Sequence, residues 1–220
     1  MKYSFTKPQP VNPLIVGTGT GTVGPKTVMI AGLPRGGTSA TAAVIDALGV
    51  PVGNTEDGHY EFPEFKADPF SKENWSIMED RIRSMNAAHE CWGTQVWYEI
   101  APIYRIGSAI RNPHLVLVFR DLAALMQRCL LLGEYATDVH ELLLLLTEEQ
   151  SRLWHVARNR RFPTLLISFE RLRTTPDVTV RHIAEFLRLD ASEAQIVDAM
   201  NRVNRRGGYI MQQVEGYREE

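Results

Sequence analysis

The sequence predicts an α/β fold, a three-layer α/β/α arrangement around a central, mostly parallel sheet, and three observations predict it. Short continuous apolar runs at 27–31, 114–119 and 164–169 have the composition of strands covered on both faces. Between them lie longer stretches with apolar residues at three- and four-residue steps, the helical period. Glycine and proline punctuate the joints, as at Gly49-Val50-Pro51-Val52-Gly53.

In chain order, residues 1–26 carry Pro8, Pro10, Pro13 and Pro25 among glycines and threonines, which predicts an extended or flexible arm before a single domain over 27–220. Gly19 to Gly24 satisfies G-x-G-x-x-G in letters, but Pro25 and a strand follow where a dinucleotide site needs a helix. The strand at 27–31 meets a glycine-rich turn, and residues 40–48 read as helix. An acidic, aromatic, proline-bearing segment follows at 54–70, where Tyr60, Phe62, Phe65 and Phe70 could line a pocket or pack as a lid. Trp75, Met78, Ile82 and Met85 predict a helix over 71–90. A strand is expected at 93–98 and a short helix at 102–110, opened by a proline in its first turn. The strand at 114–119 ends at Arg120-Asp121, and helices are expected at 122–132 and 138–160. The strand at 164–169 leads to helices at 176–187 and 192–203.

Composition excludes several classes. With 44% hydrophobic and 23% charged residues the chain can bury a core of ordinary size. A net charge of −2 argues against a nucleic-acid or anionic-membrane surface. The two cysteines, Cys91 and Cys129, form no disulfide framework and suggest a reducing compartment. The longest apolar run, 142–146, is far short of a membrane span, and residues 1–16 contain no signal-type apolar stretch, so a cytoplasmic location is expected. His140-Glu141 lacks the second histidine of a zinc-protease helix, since Leu144 stands there. His89-Glu90-Cys91 has no partner pair, so no metal site is expected.

The informative stretch is Gly32-Leu33-Pro34-Arg35-Gly36-Gly37-Thr38-Ser39. Strand, glycine loop and helix make a layout in which backbone N–H groups and a helix N-terminus converge on an anion. It nearly matches the nucleotide-binding loop G-x-x-x-x-G-K-[ST], but Thr38 stands in the lysine position and the loop's cation, Arg35, lies three residues upstream. Nucleoside triphosphate chemistry neutralises its phosphates with that lysine and Mg²⁺. A donor whose transferred group carries less charge needs only N–H groups, an arginine and hydroxyls.

The chain resembles the sulfotransferases that use 3′-phosphoadenosine 5′-phosphosulfate (PAPS), in their divergent bacterial branch, over about residues 27–190. Residues 32–39 look like the family's 5′-phosphosulfate loop. Residues 115–121, ending in Arg120-Asp121, look like its strand–Arg–Asp block for the 3′-phosphate. Leu165 to Leu172, with Pro176 and Phe186-Leu187-Arg188-Leu189, is similar to its late "YEDL…P…FLGL" pattern. The resemblance implies that Arg35 contacts the sulfonate and bridging oxygen. Backbone N–H groups of Gly36, Gly37 and Thr38, with the Thr38 and Ser39 hydroxyls, would hold the 5′-phosphate, and Arg120 the 3′-phosphate.

The chain also departs from the pattern. Arg128 occupies the place of a serine that usually assists at the 3′-phosphate, and either replaces it or faces solvent. Trp92-Gly93-Thr94-Gln95 lacks the lysine of a Trp-Gly-Trp-Lys-Asp-Pro block. The family's basic C-terminal element is echoed in Arg205-Arg206-Gly207. The acceptor needs a general base, for which Glu61 aligns best and His59 is the alternative. The implied reaction moves a sulfonate from PAPS to a hydroxyl or amine of a small molecule, carbohydrate or lipid, leaving adenosine 3′,5′-bisphosphate, with no metal. A P-loop nucleotide kinase and a catalytically silent ligand-binding relative are the rival readings. The acceptor and the oligomeric state are not encoded in any recognisable pattern.

Overall fold

The computed structural model describes residues 14–16, 24–53, 60–66, 68–96, 99–133 and 138–205. Its sheet has five strands: β1 (Leu14–Val16), β2 (Lys26–Gly32), β3 (Cys91–Gln95), β4 (Pro113–Phe119) and β5 (Thr164–Ser168). They lie in the order β1-β5-β4-β2-β3, with β5, β4, β2 and β3 parallel and β1 antiparallel to β5. Part of the expected N-terminal arm is therefore an edge strand. It pairs Leu14 with Leu166 and Val16 with Thr164.

Alternation along the strands divides the core in two. Val28, Ile30, Val116, Val118, Leu165 and Ile167 point to one side, and Met29, Ala31, Leu115, Leu117 and Leu166 to the other. The first side is covered by α1 (Thr38–Ala47), α7 (Pro176–Leu187) and α8 (Glu193–Arg205). The second is covered by α2 (Lys72–Ala88), α3 (Ile100–Ala109), α4 (Leu122–Leu131) and α5 (Val139–Asn159). Both strand faces are dry, which is why the central strands read as unbroken apolar runs.

A short helix, α6 (Phe169–Thr174), follows β5 directly, inside what the sequence presents as strand end and loop. The Ser168 side chain accepts from the Arg171 N–H at its start, and Thr175 and Pro176 separate it from α7. A single 3₁₀ turn spans Pro63–Lys66. Phe62, Phe65 and Trp92 meet there at centroid distances of 6.1–6.3 Å. Tyr60 is buried in the opposite half of the core. These three rings of the 54–70 segment are thus core, and only Phe70 is exposed.

One consequence of this topology positions the site. The connection leaving β2 enters α1 on one face of the sheet, while that leaving β4 enters α4 on the other. Adjacent parallel strands whose connections diverge leave a crevice beyond their carboxyl ends, and ligands of open α/β sheets bind there. The crevice between β2 and β4 has Arg35 on one side and Arg120 on the other.

Candidate functional site

The loop between β2 and α1 is tightly made. The Gly36 N–H donates to the Leu33 carbonyl at 2.8 Å, closing a turn. This bond engages the N–H that the resemblance assigns to the 5′-phosphate. Arg35 is exposed and holds φ at 62°, a left-handed conformation that costs a side-chain-bearing residue about 1 kcal/mol. Gly37, at φ 100°, precedes α1, and the Phe169 ring lies where its side chain would have been.

α1 begins with no side-chain cap and no acidic residue in its first turn. The first intrahelical bond runs from the Thr41 N–H to the Gly37 carbonyl at 3.0 Å. The N–H groups of Thr38, Ser39 and Ala40 precede it at the positive end of the helix dipole, where an anion is favoured. Thr38 and Ser39 are half-buried, with their hydroxyls in the same turn.

Arg120 closes the loop from the β4 side. Its Nη1 donates to the Arg35 carbonyl at 2.7 Å, and its guanidinium lies 5.0 Å from the Phe169 ring centroid. Its Nε is buried with no partner among the described residues. Burial, and secondarily the Arg173 charge, hold the Arg120 pKa below its ordinary value against the opposing pull of Glu170. Arg128, two turns into α4, joins the same field. Burial lowers its pKa first, and the charges of Arg35 and Arg120 lower it further. The structure therefore brings Arg35, Arg120 and Arg128 within electrostatic reach of one another, and Arg128 is half-buried rather than facing solvent.

Two carboxylates at strand ends are committed internally. Asp121 accepts from the Ala124 N–H at 2.9 Å and caps α4. Glu170 accepts from the Asp121 N–H at 3.0 Å and from the Ser168 hydroxyl at 3.1 Å, which ties α4 to α6. The described residues contain no group of three or more His, Cys, Asp or Glu able to hold a metal.

On the other flank, the buried Gln95 amide at the end of β3 approaches the Ser39 Oγ and the Tyr60 carbonyl, each at 3.5 Å. Gln95 thus places a neutral donor beside the loop. Glu61 follows Tyr60 and is half-buried, one residue from this contact. His59, Arg206 and Gly207 lie outside the described residues, and Arg205 ends α8. Sequence reasoning missed Phe169 and Gln95 as parts of the site. Each sits at the carboxyl end of a parallel strand, and that position was the available signal.

No family model matches the chain, and no curated protein matches it in sequence. Solved structures do. The sulfotransferase domain of the Synechococcus PCC 7002 olefin synthase aligns with a TM-score of 0.52 at 12% identity, over 88% of this chain and 80% of that one. Mouse sulfotransferase SULT7A1, complexed with PAP, aligns with a TM-score of 0.51 at 9% identity, over 81% of this chain; the chain spans 64% of it. A sugar kinase from Janibacter sp. HTCC2649 gives 0.47 at 14% identity, over 76% of this chain and 96% of that one. The chain has the α/β fold that sulfotransferases share. Among the described residues no helix is long and apolar enough to cross a membrane.

Proposed function

We propose that this protein is a PAPS-dependent sulfotransferase acting on a hydroxyl or amine of a small molecule, carbohydrate or lipid, in the cytoplasm. The observation that carries the reading is the grouping of Arg35, Arg120 and Arg128 at the crevice into which the uncapped α1 opens. A sulfuryl donor presents an anionic leaving phosphate and a second phosphate at a distance, and the arrangement has donors for both. PAPS would supply an activated sulfonate whose sulfur–oxygen bond breaks as the acceptor's bond to sulfur forms.

In this reading the N–H groups of Thr38, Ser39 and Ala40 and the hydroxyls of Thr38 and Ser39 hold the 5′-phosphate. Arg35 stabilises charge that develops on the leaving oxygen, which becomes part of adenosine 3′,5′-bisphosphate. Its strained backbone fixes the direction from which the guanidinium leaves the loop. Arg120 and Arg128 raise the positive potential where the 3′-phosphate arrives. Glu61, or His59 as the alternative, takes the acceptor proton. Glu61 is supported by its place next to the Gln95–Tyr60 contact.

The kinase reading loses ground on the loop itself. A triphosphate site draws on a loop lysine to neutralise its phosphates, and Thr38 stands in that position. Isothermal calorimetry separates the two readings. Adenosine 3′,5′-bisphosphate should bind without Mg²⁺ and more tightly than ADP. Tight binding of ADP with Mg²⁺, with none of the bisphosphate, would overturn the proposal. Transfer of radiolabelled sulfate from PAPS across a panel of sugars, lipids and phenols then distinguishes an enzyme from a silent binder.

A further inference from the structure

Behind the loop, a cavity of about 310 Å³ opens between α4 and α6, lined by Arg120, Ala124, Phe169, Glu170, Arg173 and Thr174. Its size is at the lower end for small-molecule sites. Arg173 lies one helical turn after Phe169, so the two side chains leave the same face of α6 and frame the opening. Ala124, small and half-buried, forms the α4 wall without filling it. Arg173 is exposed and forms no ion pair within 4 Å among the described residues, unlike Arg81, Arg152, Arg181 and Arg202, each paired with a carboxylate. The Glu170 carboxylate on the same wall has both oxygens engaged by Asp121 and Ser168, and that holds it in place. Arg120 lines the same cavity with its guanidinium held over the Phe169 ring.

From this juxtaposition, and resting on the donor reading above, we infer that Arg173 binds the donor's second phosphate together with Arg120, and so determines the preference for a 3′-phosphorylated nucleotide. Two guanidiniums lining one cavity can offer forked N–H groups to a phosphate, which a lysine or serine cannot. The net charge of the lining, two arginines against one glutamate, is positive, so an anion entering the cavity is attracted.

The test compares adenosine 3′,5′-bisphosphate with adenosine 5′-monophosphate by calorimetry on the full chain, for wild type, Arg173→Gln and Arg173→Lys. Wild type should favour the bisphosphate by tenfold or more. Arg173→Gln should lose about tenfold toward the bisphosphate and nothing toward the monophosphate, and Arg173→Lys should recover part of that loss. Because Arg173 is exposed, unfolding does not confound the measurement, and a thermal melt of each variant checks this. If wild type shows the preference and Arg173→Gln keeps it, the assignment of Arg173 is overturned while the sulfotransferase reading stands. If wild type binds neither nucleotide, both fall. Equal losses toward both nucleotides would also overturn it, by showing that Arg173 does not read the 3′ position.

Discussion

The two ends of the central strands carry basic residues to opposite purposes. At the amino end, Lys26 opens β2 at 4% exposure, and His114 sits near the start of β4 at 0%. Each is absorbed into the scaffold. The Lys26 ammonium donates to the Leu187 carbonyl at 2.7 Å, and the His114 Nδ1–H donates to the Asn112 carbonyl at 2.9 Å while its ring meets Phe186 edge-on. At the carboxyl end, Arg35, Arg120 and Arg128 gather at one crevice, where burial first and the charges of Arg35 and Arg120 after it lower the basicity of Arg128. Basic residues that end on interior carbonyls hold elements together. Basic residues gathered against their own repulsion are arranged for an incoming anion.

The largest expected effect breaks this division at the crevice. Arg35→Gly relieves the left-handed backbone and keeps the carbonyl that Arg120 grips, so the melting temperature should stay level or rise. Transfer from PAPS should fall by about 10²- to 10³-fold in kcat/KM, because a preorganised donor to the leaving oxygen is lost. A variant that melts lower and transfers normally would make Arg35 a structural residue and erase the contrast.

Next in size is Lys26→Met, at the other end. It leaves the Leu187 carbonyl buried without its donor, at a cost of about 1–2 kcal/mol measured by urea unfolding. Activity per folded molecule should not change. His114 sharpens the same point through pH. Burial first, and the Lys26 charge after it, lower its folded pKa, with the Asn112 carbonyl opposing. The unfolded chain therefore binds a proton that the folded one refuses. Stability should fall as pH drops below about 6.5, the unfolded value, and that slope should flatten in His114→Phe. An unchanged slope would show that folding does not lower the basicity of His114.

The amino end of this comparison was nearly invisible in the sequence, and the carboxyl end only partly visible. β4 and α7 announce themselves, one as an unbroken apolar run and the other by Pro176 at its start and apolar residues at helical spacing. Residues 113–119 and 176–187 accordingly fall within a residue of expectation. β1 is hidden because three residues in a proline-rich stretch become a strand only by pairing with β5, a non-local event that periodicity does not record. α6 is hidden because six residues are too few for a period. In the site, the Arg35 displacement and the Arg120-Asp121 strand end were legible as residue types in order. The Gly36 turn bond, the Phe169 ring over Gly37 and the internal use of Asp121 and Glu170 depend on tertiary approach, and no local pattern encodes them. The rings of Tyr60, Phe62 and Phe65 gave the opposite difficulty, since an aromatic segment reads alike as pocket or core until its neighbours are known.

Arg128→Ser should have the smallest effect, and it tests how the crevice works. If the three arginines act as a shared field, removing the one deepest in α4 should weaken adenosine 3′,5′-bisphosphate binding by only about threefold at low salt. Near 1 M salt, where the Debye length is about 3 Å, the difference should vanish. The apo protein should be no less stable, because a mutual repulsion has been removed. A loss of tenfold or more that persists in high salt would instead mean that Arg128 bonds the ligand directly. The comparison would then become one between two arginines that share a phosphate and one that works on sulfur. Lys26→Met supplies the control, since a cost that comes from an unpaired buried carbonyl should be the same at both salt concentrations.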